Sequence, residues 1–393
     1  MNLDFLYGLV RLSFWGYVLV AFVMIQFTFM GVTLYLHRDA THRSLDLHPA
    51  LRHVFRFWLW MSSGMLTREW VAVHRKHHAR CETPEDPHSP VIFGLKKVLL
   101  EGAELYKTAA SDEEMLEKYG RGTPDDWIER KLYKPHRALG IVIMVLLDLV
   151  LFGVYGILII SAQMLAVPLL AAGVVNGLGH HSGYRNFECP DAARNILPWG
   201  LLLAGEELHN NHHAFPSSAK FSVRAWEFDL GWVYINLFKF LGLAKVRRVA
   251  PVLTRIENRE EIDVETVRAV LVNRMHVLRA YAKNVTIPVC REQLRDAAGG
   301  GFRAAKRLLV REPLLLDSQA KQSLKALLES NKQLKMVYEF RERLNVLWSG
   351  AHTSNEGLLQ HFKNWIVDAE ASGVEVLQQY ARAMRGAALP DAA

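Results

Sequence analysis

Two pentads share one spacing: His74-Arg75-Lys76-His77-His78 and His209-Asn210-Asn211-His212-His213. Positions i, i+3 and i+4 share one face of a helix, so each trio of rings can converge on one point. A third pair, His37 and His42, stands in His37-Arg38-Asp39-Ala40-Thr41-His42. Neutral imidazole suits iron, zinc or copper. The eight imidazoles of these clusters exceed what one first-row ion usually takes, and they suit two ions that share few carboxylate ligands. Iron is the redox metal that makes such a field useful, because zinc does not cycle. A ninth candidate is His180, four residues after Asn176. On one helix face, Asn176 would hold a metal-bound water while His180 ligates directly. Asp39, Glu69, Asp86, Glu206 and Glu207 stand near the clusters and can accept the second ring N–H of a ligand, fixing its tautomer.

Apolar runs adjoin these clusters. Residues 12–36 carry no charge and are long enough for a membrane span, which needs about 20 residues. Trp15 and Tyr35 resemble interfacial anchors, and His37 follows at the membrane–water boundary. Residues 50–66 are interrupted by Arg52, His53 and Arg56, so they read as a helix on the membrane face. Parity agrees: a single crossing between His42 and His74 would put them on opposite sides. Residues 79–136 are polar, with a Lys and Arg excess that marks the cytoplasmic side. Residues 139–177 are long enough for two spans, with a turn near Ser161-Ala162-Gln163. Residues 196–205 are too short to cross, and 230–243 read as interfacial. After Pro251 the chain turns charged and helical, with Leu324, Leu327, Leu328, Leu334 and Val337 at helical spacing and a Gly299-Gly300-Gly301 loop.

Composition narrows the class. Half of the 393 residues are hydrophobic, and mean hydropathy is +0.04. A net charge of +7 fits a protein beside anionic lipid. No basic stripe with interleaved aromatics appears, so no nucleic-acid partner is expected. Cys81, Cys189 and Cys290 form no CxxC pair, which argues against a disulfide framework and a cysteine-held structural zinc. The first apolar run is too long for a cleavable leader.

The ordered pattern HxxxxH, HxxHH, HxxHH resembles the integral-membrane fatty acid desaturases. Glu69-Trp70-Val71-Ala72-Val73-His74, with the pentad it opens and Asp86-Pro87-His88 downstream, is similar to the second histidine box of stearoyl-CoA desaturases and their bacterial relatives. Asn176-Gly177-Leu178-Gly179-His180 and Gly183-Tyr184-Arg185 resemble the extra ligand segment of the delta-9 branch. The likeness covers roughly residues 10–250.

That resemblance implies an all-α protein: a membrane helical core (residues 1–251) carrying a cytoplasmic di-iron cap, followed by a helical cytoplasmic module (252–393). It implies that His37, His42, His74, His77, His78, His180, His209, His212 and His213 bind two Fe ions, with Asn176 acting through water. It also implies O₂-dependent insertion of a cis double bond, of the delta-9 type, into a phospholipid-bound or CoA-bound saturated acyl chain. Electrons would come from a separate ferredoxin, rubredoxin or cytochrome b5-like donor with an NAD(P)H reductase, at a bacterial inner membrane. The same metal scaffold serves membrane hydroxylases, and a non-catalytic metal-binding membrane protein is the alternative from another class. Eukaryotic members usually have two spans before the first box, whereas this sequence has room for one.

Overall fold

The computed structural model describes residues 7–390 apart from 258, 260, 296–300 and 351–353. The chain is mostly helical and divides into two compact units. One comprises residues 1–185 and 191–250, the other residues 186–190 and 251–393. Among the described residues the only sheets are three two-stranded pairings.

In the first unit, helix α1 runs over Phe14–Thr41 and is long and apolar enough to cross a membrane. Ser13 caps it, its hydroxyl accepting from the Gly16 amide. From Gly31 to Thr41 the helix widens into a π-helix, and the His42 amide reaches back to the His37 carbonyl at 3.0 Å. That wider turn delivers both residues of the first pair to one place. Helix α2 (Pro49–Ser63) ends where Gly64 takes φ +65°, as only glycine does without cost. Its Arg56 is buried and ion-paired to Glu129 at 2.8 Å. Helix α3 (Thr67–Arg80) carries the second pentad, and α4 (Leu95–Ala110) follows.

Helices α5 (Arg137–Phe152) and α6 (Val154–Leu178) correct one expectation. The break between them lies at Gly153, with φ +61° and ψ −137°, rather than at Ser161-Ala162-Gln163. Those residues lie inside α6 and bond there without a break in the helix. The Ser161 hydroxyl donates to the Ile157 carbonyl at 2.7 Å, and the Gln163 amide donates to Asp148 Oδ2 at 3.3 Å. Their polarity therefore does not need a turn. As a result α5 has only 16 residues, about 24 Å, while α6 with 25 joins α1 as a helix able to span. Pro168 lacks an N–H, and the α6 backbone is π-helical from Val167 to Leu178. Short helix α7 (His209–Ala214) carries the third box, and α8 (Leu230–Phe240) leaves Leu237 and Phe240 exposed. The strand Leu45–Leu47 pairs antiparallel with Ala244–Val246, tying the segment after the first histidine pair to the end of the unit.

The second unit closes around one apolar cluster. Leu324, Leu334 and Val337 are buried in it, with Leu327 and Leu328 packed against it. Trp365, Tyr281 and Tyr380 sit at its centre, each polar tip satisfied by a backbone carbonyl (Phe340, Val337 and Val277) at 2.7 to 2.9 Å. Gly299 and Gly300 lie outside the described residues, and Gly301 opens the helix Gly301–Val310.

Candidate metal centre

All nine histidines of the sequence reading come together in the first unit. They gather in two adjacent groups, not at one point per box. His37, His42, His74, His78 and His212 form the first group, with one ligand nitrogen from each within 4.8 Å of every other. The second contains His77, His180 and His213, and His209 joins it through a 3.0 Å Nε2–Nε2 approach to His180. Each pentad is split in the same way. In α3 the i and i+4 rings, His74 and His78, enter the first group, and His77 enters the second. In α7 the i and i+4 rings, His209 and His213, lie in the second, and His212 in the first. Helical geometry supplies the reason. At about 100° per residue, i+4 leads i by about 40° whereas i+3 trails it by about 60°, so the third ring faces away from the other two.

The donor chemistry of both groups fits a cation. Nε2 atoms of the first group stand 3.0 Å (His37–His212), 2.9 Å (His212–His78), 3.1 Å (His78–His74) and 3.2 Å (His74–His42) apart. The His37 Nδ1–H donates to Glu206 at 2.8 Å, which leaves its Nε2 as a bare lone pair aimed inward. Five ring nitrogens converging on one point, one of them a committed acceptor, form a donor set that a metal ion could occupy. The His213 Nε2 is buried without a partner among the described residues. Burial pushes the pKa of His42, His74, His78, His209, His212 and His213 well below the ordinary imidazole range, with neighbouring rings adding to the effect. The rings are thus held neutral, the form that ligates.

Carboxylates orient four of the rings, as the sequence reading anticipated, but only two are the ones it named. Glu206 holds His37, and Asp86 holds His77 at 3.0 Å. The other two are Glu82, 3.1 Å from His180 Nδ1, and Asp191, 3.1 Å from His213 Nδ1. Asp39, Glu69 and Glu207 turn elsewhere. Arg52 takes Asp39, Arg137 takes Glu69, and the backbone amides of Leu202, Leu203 and Gly205 take Glu207. Nothing local in the sequence separates Glu82 from its acidic neighbour Glu85; the pairing depends on the distant return of α6. His88, of the Asp86-Pro87-His88 segment, is not a member of either histidine group. It packs, buried, 4.4 Å from the His77 ring, and its pKa is pushed down to about 3 by burial.

Asn176 and His180 do not share a regular helix face, because the π-turns end at Leu178 and His180 lies in the turn beyond. Asn176 instead lines a cavity of about 380 Å³ together with His37, His74, His88 and His209. The rest of that wall is largely apolar, including Phe29, Val32, Val73, Met164, Val167, Ala171 and Val175. Trp70 lines it too, whereas Trp58 and Trp60 do not. Glu69, Tyr106 and the exposed Lys107 and Arg137 also line it. Arg75 does not reach this cavity; it bridges the carbonyls of Ala40, Tyr119 and Arg121.

Comparison with known proteins agrees with this geometry. A family model described as fatty acid desaturase matches residues 13–235. The sn-1 stearoyl-lipid 9-desaturase of Synechocystis is 32% identical over 246 residues, which cover 60% of this chain and 73% of that protein. Delta-9 acyl-lipid desaturase 2 of Arabidopsis thaliana is 27% identical, covering 58% and 74%. The acyl-CoA C20 Delta5-desaturase of Anemone leveillei is 33% identical, covering 54% and 68%. A transposase model matches residues 266–388, a minority of the chain that falls in the second unit. With one family model matched over more than half of its length, the chain belongs to the fatty acid desaturase family of oxidoreductases.

Proposed function

We propose that this chain inserts a cis double bond, at the delta-9 position, into a saturated acyl chain carried by a membrane phospholipid, using O₂. The observation that carries the reading is that both histidine groups and Asn176 border one largely apolar cavity. The stearoyl-lipid and acyl-lipid relatives support a lipid-bound substrate, and the acyl-CoA relative makes a thioester the competing carrier.

The nine histidines would hold two irons, with Asn176 acting through water, and that centre would supply the oxidation of an unactivated C–H bond while O₂ is reduced to water. The apolar wall from Phe29 to Val175 aligns the acyl chain and excludes bulk water, so that one methylene pair is held against the histidines. Glu206, Asp86, Glu82 and Asp191 keep Nδ1–H protons on His37, His77, His180 and His213 and leave the opposite nitrogens as donors. A separate ferredoxin, rubredoxin or cytochrome b5-like protein delivers the electrons, steered by the basic residues around Lys96–Lys134 on a cytoplasmic face. Residues 1–251 carry this activity, and 252–393 form a separate helical module.

The test is expression in a host lacking its own desaturase, with double-bond position measured in each lipid pool. Unsaturated phospholipid at carbon 9 that disappears with His212→Ala is the expected result. Undiminished product from His212→Ala, or a hydroxylated chain, would overturn the reading.

A further inference from the structure

Between Asn195 and His209 the chain leaves the histidine centre and returns to it. Asn195 holds one end, its side-chain amide donating at 3.1 Å to Asn211, which stands between His209 and His212. In between, residues 196–205 carry no charge and turn large apolar side chains outward. Leu197, Trp199, Leu201 and Leu202 are 47 to 61% exposed, and Phe228, on the strand paired with Trp199–Gly200, is 40% exposed. We propose that residues 197–202 are a membrane-inserted loop, entering the leaflet beside α1 without crossing it. The proposal rests on reading α1 as a membrane span.

Three observations point to lipid as the partner of this face. The first is position. The Gln26 side-chain amide donates to the Leu202 carbonyl at 2.9 Å, and Gln26 belongs to the uncharged run of α1. Leu203 and Ala204 pack with Phe29 of α1 and Val175 of α6, so the loop is continuous with both helices able to span. The second is the backbone. Pro198 has no N–H, and its carbonyl accepts from the Phe228 amide at 2.9 Å. The Leu201 amide donates to the Trp199 carbonyl at 2.9 Å. The buried Glu207 carboxylate takes the amides of Leu202, Leu203 and Gly205 at 2.9, 2.9 and 3.2 Å. On an ordinary surface loop water meets such groups; in lipid the protein has to. The third is the surface itself. A contiguous exposed apolar patch marks a membrane or protein contact, and tryptophan favours the membrane–water interface.

Ten uncharged residues are too few to cross, so the loop enters and leaves on the side of the histidines. It also borders the acyl cavity. Leu202 faces outward and Leu203, the next residue, lines the cavity, so one peptide unit leads from the lipid face to the cavity wall.

The experiment uses the full chain reconstituted in phosphatidylcholine vesicles, with a nitroxide attached at Leu201→Cys. Wild type, with its three native cysteines, supplies the background. Phe22→Cys, exposed on α1 one turn before Gln26, marks lipid, and Glu113→Cys, exposed in the polar stretch, marks water. At Leu201, collisions with O₂ are expected to exceed those with a water-soluble nickel chelate several-fold, as at Phe22. A Leu201 label that meets the chelate as freely as the Glu113 label overturns the proposal. So does a label shielded from both reagents, because protein would then cover the face. Either result beside a lipid signal at Phe22 leaves the desaturase reading intact. Aqueous signals at Phe22 and Leu201 together remove the span and the loop alike. Trp199→Cys should read as Leu201→Cys does, and it keeps the test decisive if that variant folds poorly.

Discussion

The centres of the two units are built from opposite materials. The first unit buries histidines, Arg38, Glu206, Asp229 and Asn211 where a soluble domain would place leucine. The second buries Trp365, Phe362, Leu334 and Met384, and its central polar tips end on backbone carbonyls. An apolar cluster gains from leaving water whatever is bound nearby, at roughly 25 cal/mol per Å². A polar centre is costly until every charge and lone pair has a partner, and the proposed metal ions would be partners of that kind. If the histidine groups hold metal as proposed, stability of the first unit should be coupled to that ligand, and stability of the second should not.

Metal removal gives the largest expected effect. Chelation should abolish desaturation and lower the unfolding temperature of the first unit, since an ion at 1,000 times its Kd contributes about 4 kcal/mol. The second unit's transition should not move. Metal-free protein should also become acid-sensitive. The buried histidines have pKa values below the ordinary imidazole value of 6.5, so the unfolded chain binds more protons below that pH. Stability is then present above about pH 6.5 and lost as pH falls below it. Thermal unfolding with and without chelator across this range is the check, and pH-independent metal-free stability would break the contrast.

Single side chains can sharpen the same comparison. Arg38 and Asp229 are both fully buried and pair at 3.0 Å, with the guanidinium 3.8 Å over the Phe221 ring. Asp229→Ala leaves that cation unpaired, and about 3–5 kcal/mol of first-unit stability should go with it. Trp365→Ala opens a cavity in the second unit at a similar cost, about 3–5 kcal/mol. It should leave the first unit's metal content and the cell's unsaturated lipid unchanged. Loss of metal from Trp365→Ala would contradict the separation.

The sequence carried much of this because helical spacing is a local property. The pentads, the HxxxxH pair and His180 name the nine rings that gather, without reference to tertiary structure. What it did not carry was the division of each pentad between two groups, although the 100° step makes that division calculable. Glu82 and Asp191 were out of reach for another reason: their partners lie 98 and 22 residues away in sequence, and acidic residues of equal local standing, such as Asp39 and Glu69, went to arginines instead. In the second unit the leucine period at 324–337 indicated the buried face, but the aromatic centre came from residues spread over about a hundred positions.

The misplaced turn shows the limit of reading polarity as punctuation inside an apolar block. Ser161 and Gln163 looked like a break, yet the Ser161 hydroxyl donates to a carbonyl of its own helix and the Gln163 amide to one buried aspartate. The actual break needs a backbone shape, φ +61° with ψ −137°, that side chains oppose. Gly153→Ala tests this directly, with an expected cost of about 1–3 kcal/mol for holding a non-glycine residue in that region. The cost should fall on the first unit alone. Ser161→Ala, by contrast, removes one exposed hydroxyl bonded within its own turn and should be near neutral. If Ser161→Ala destabilised more than Gly153→Ala in parallel thermal melts, the hairpin would be organised around the polar triplet after all.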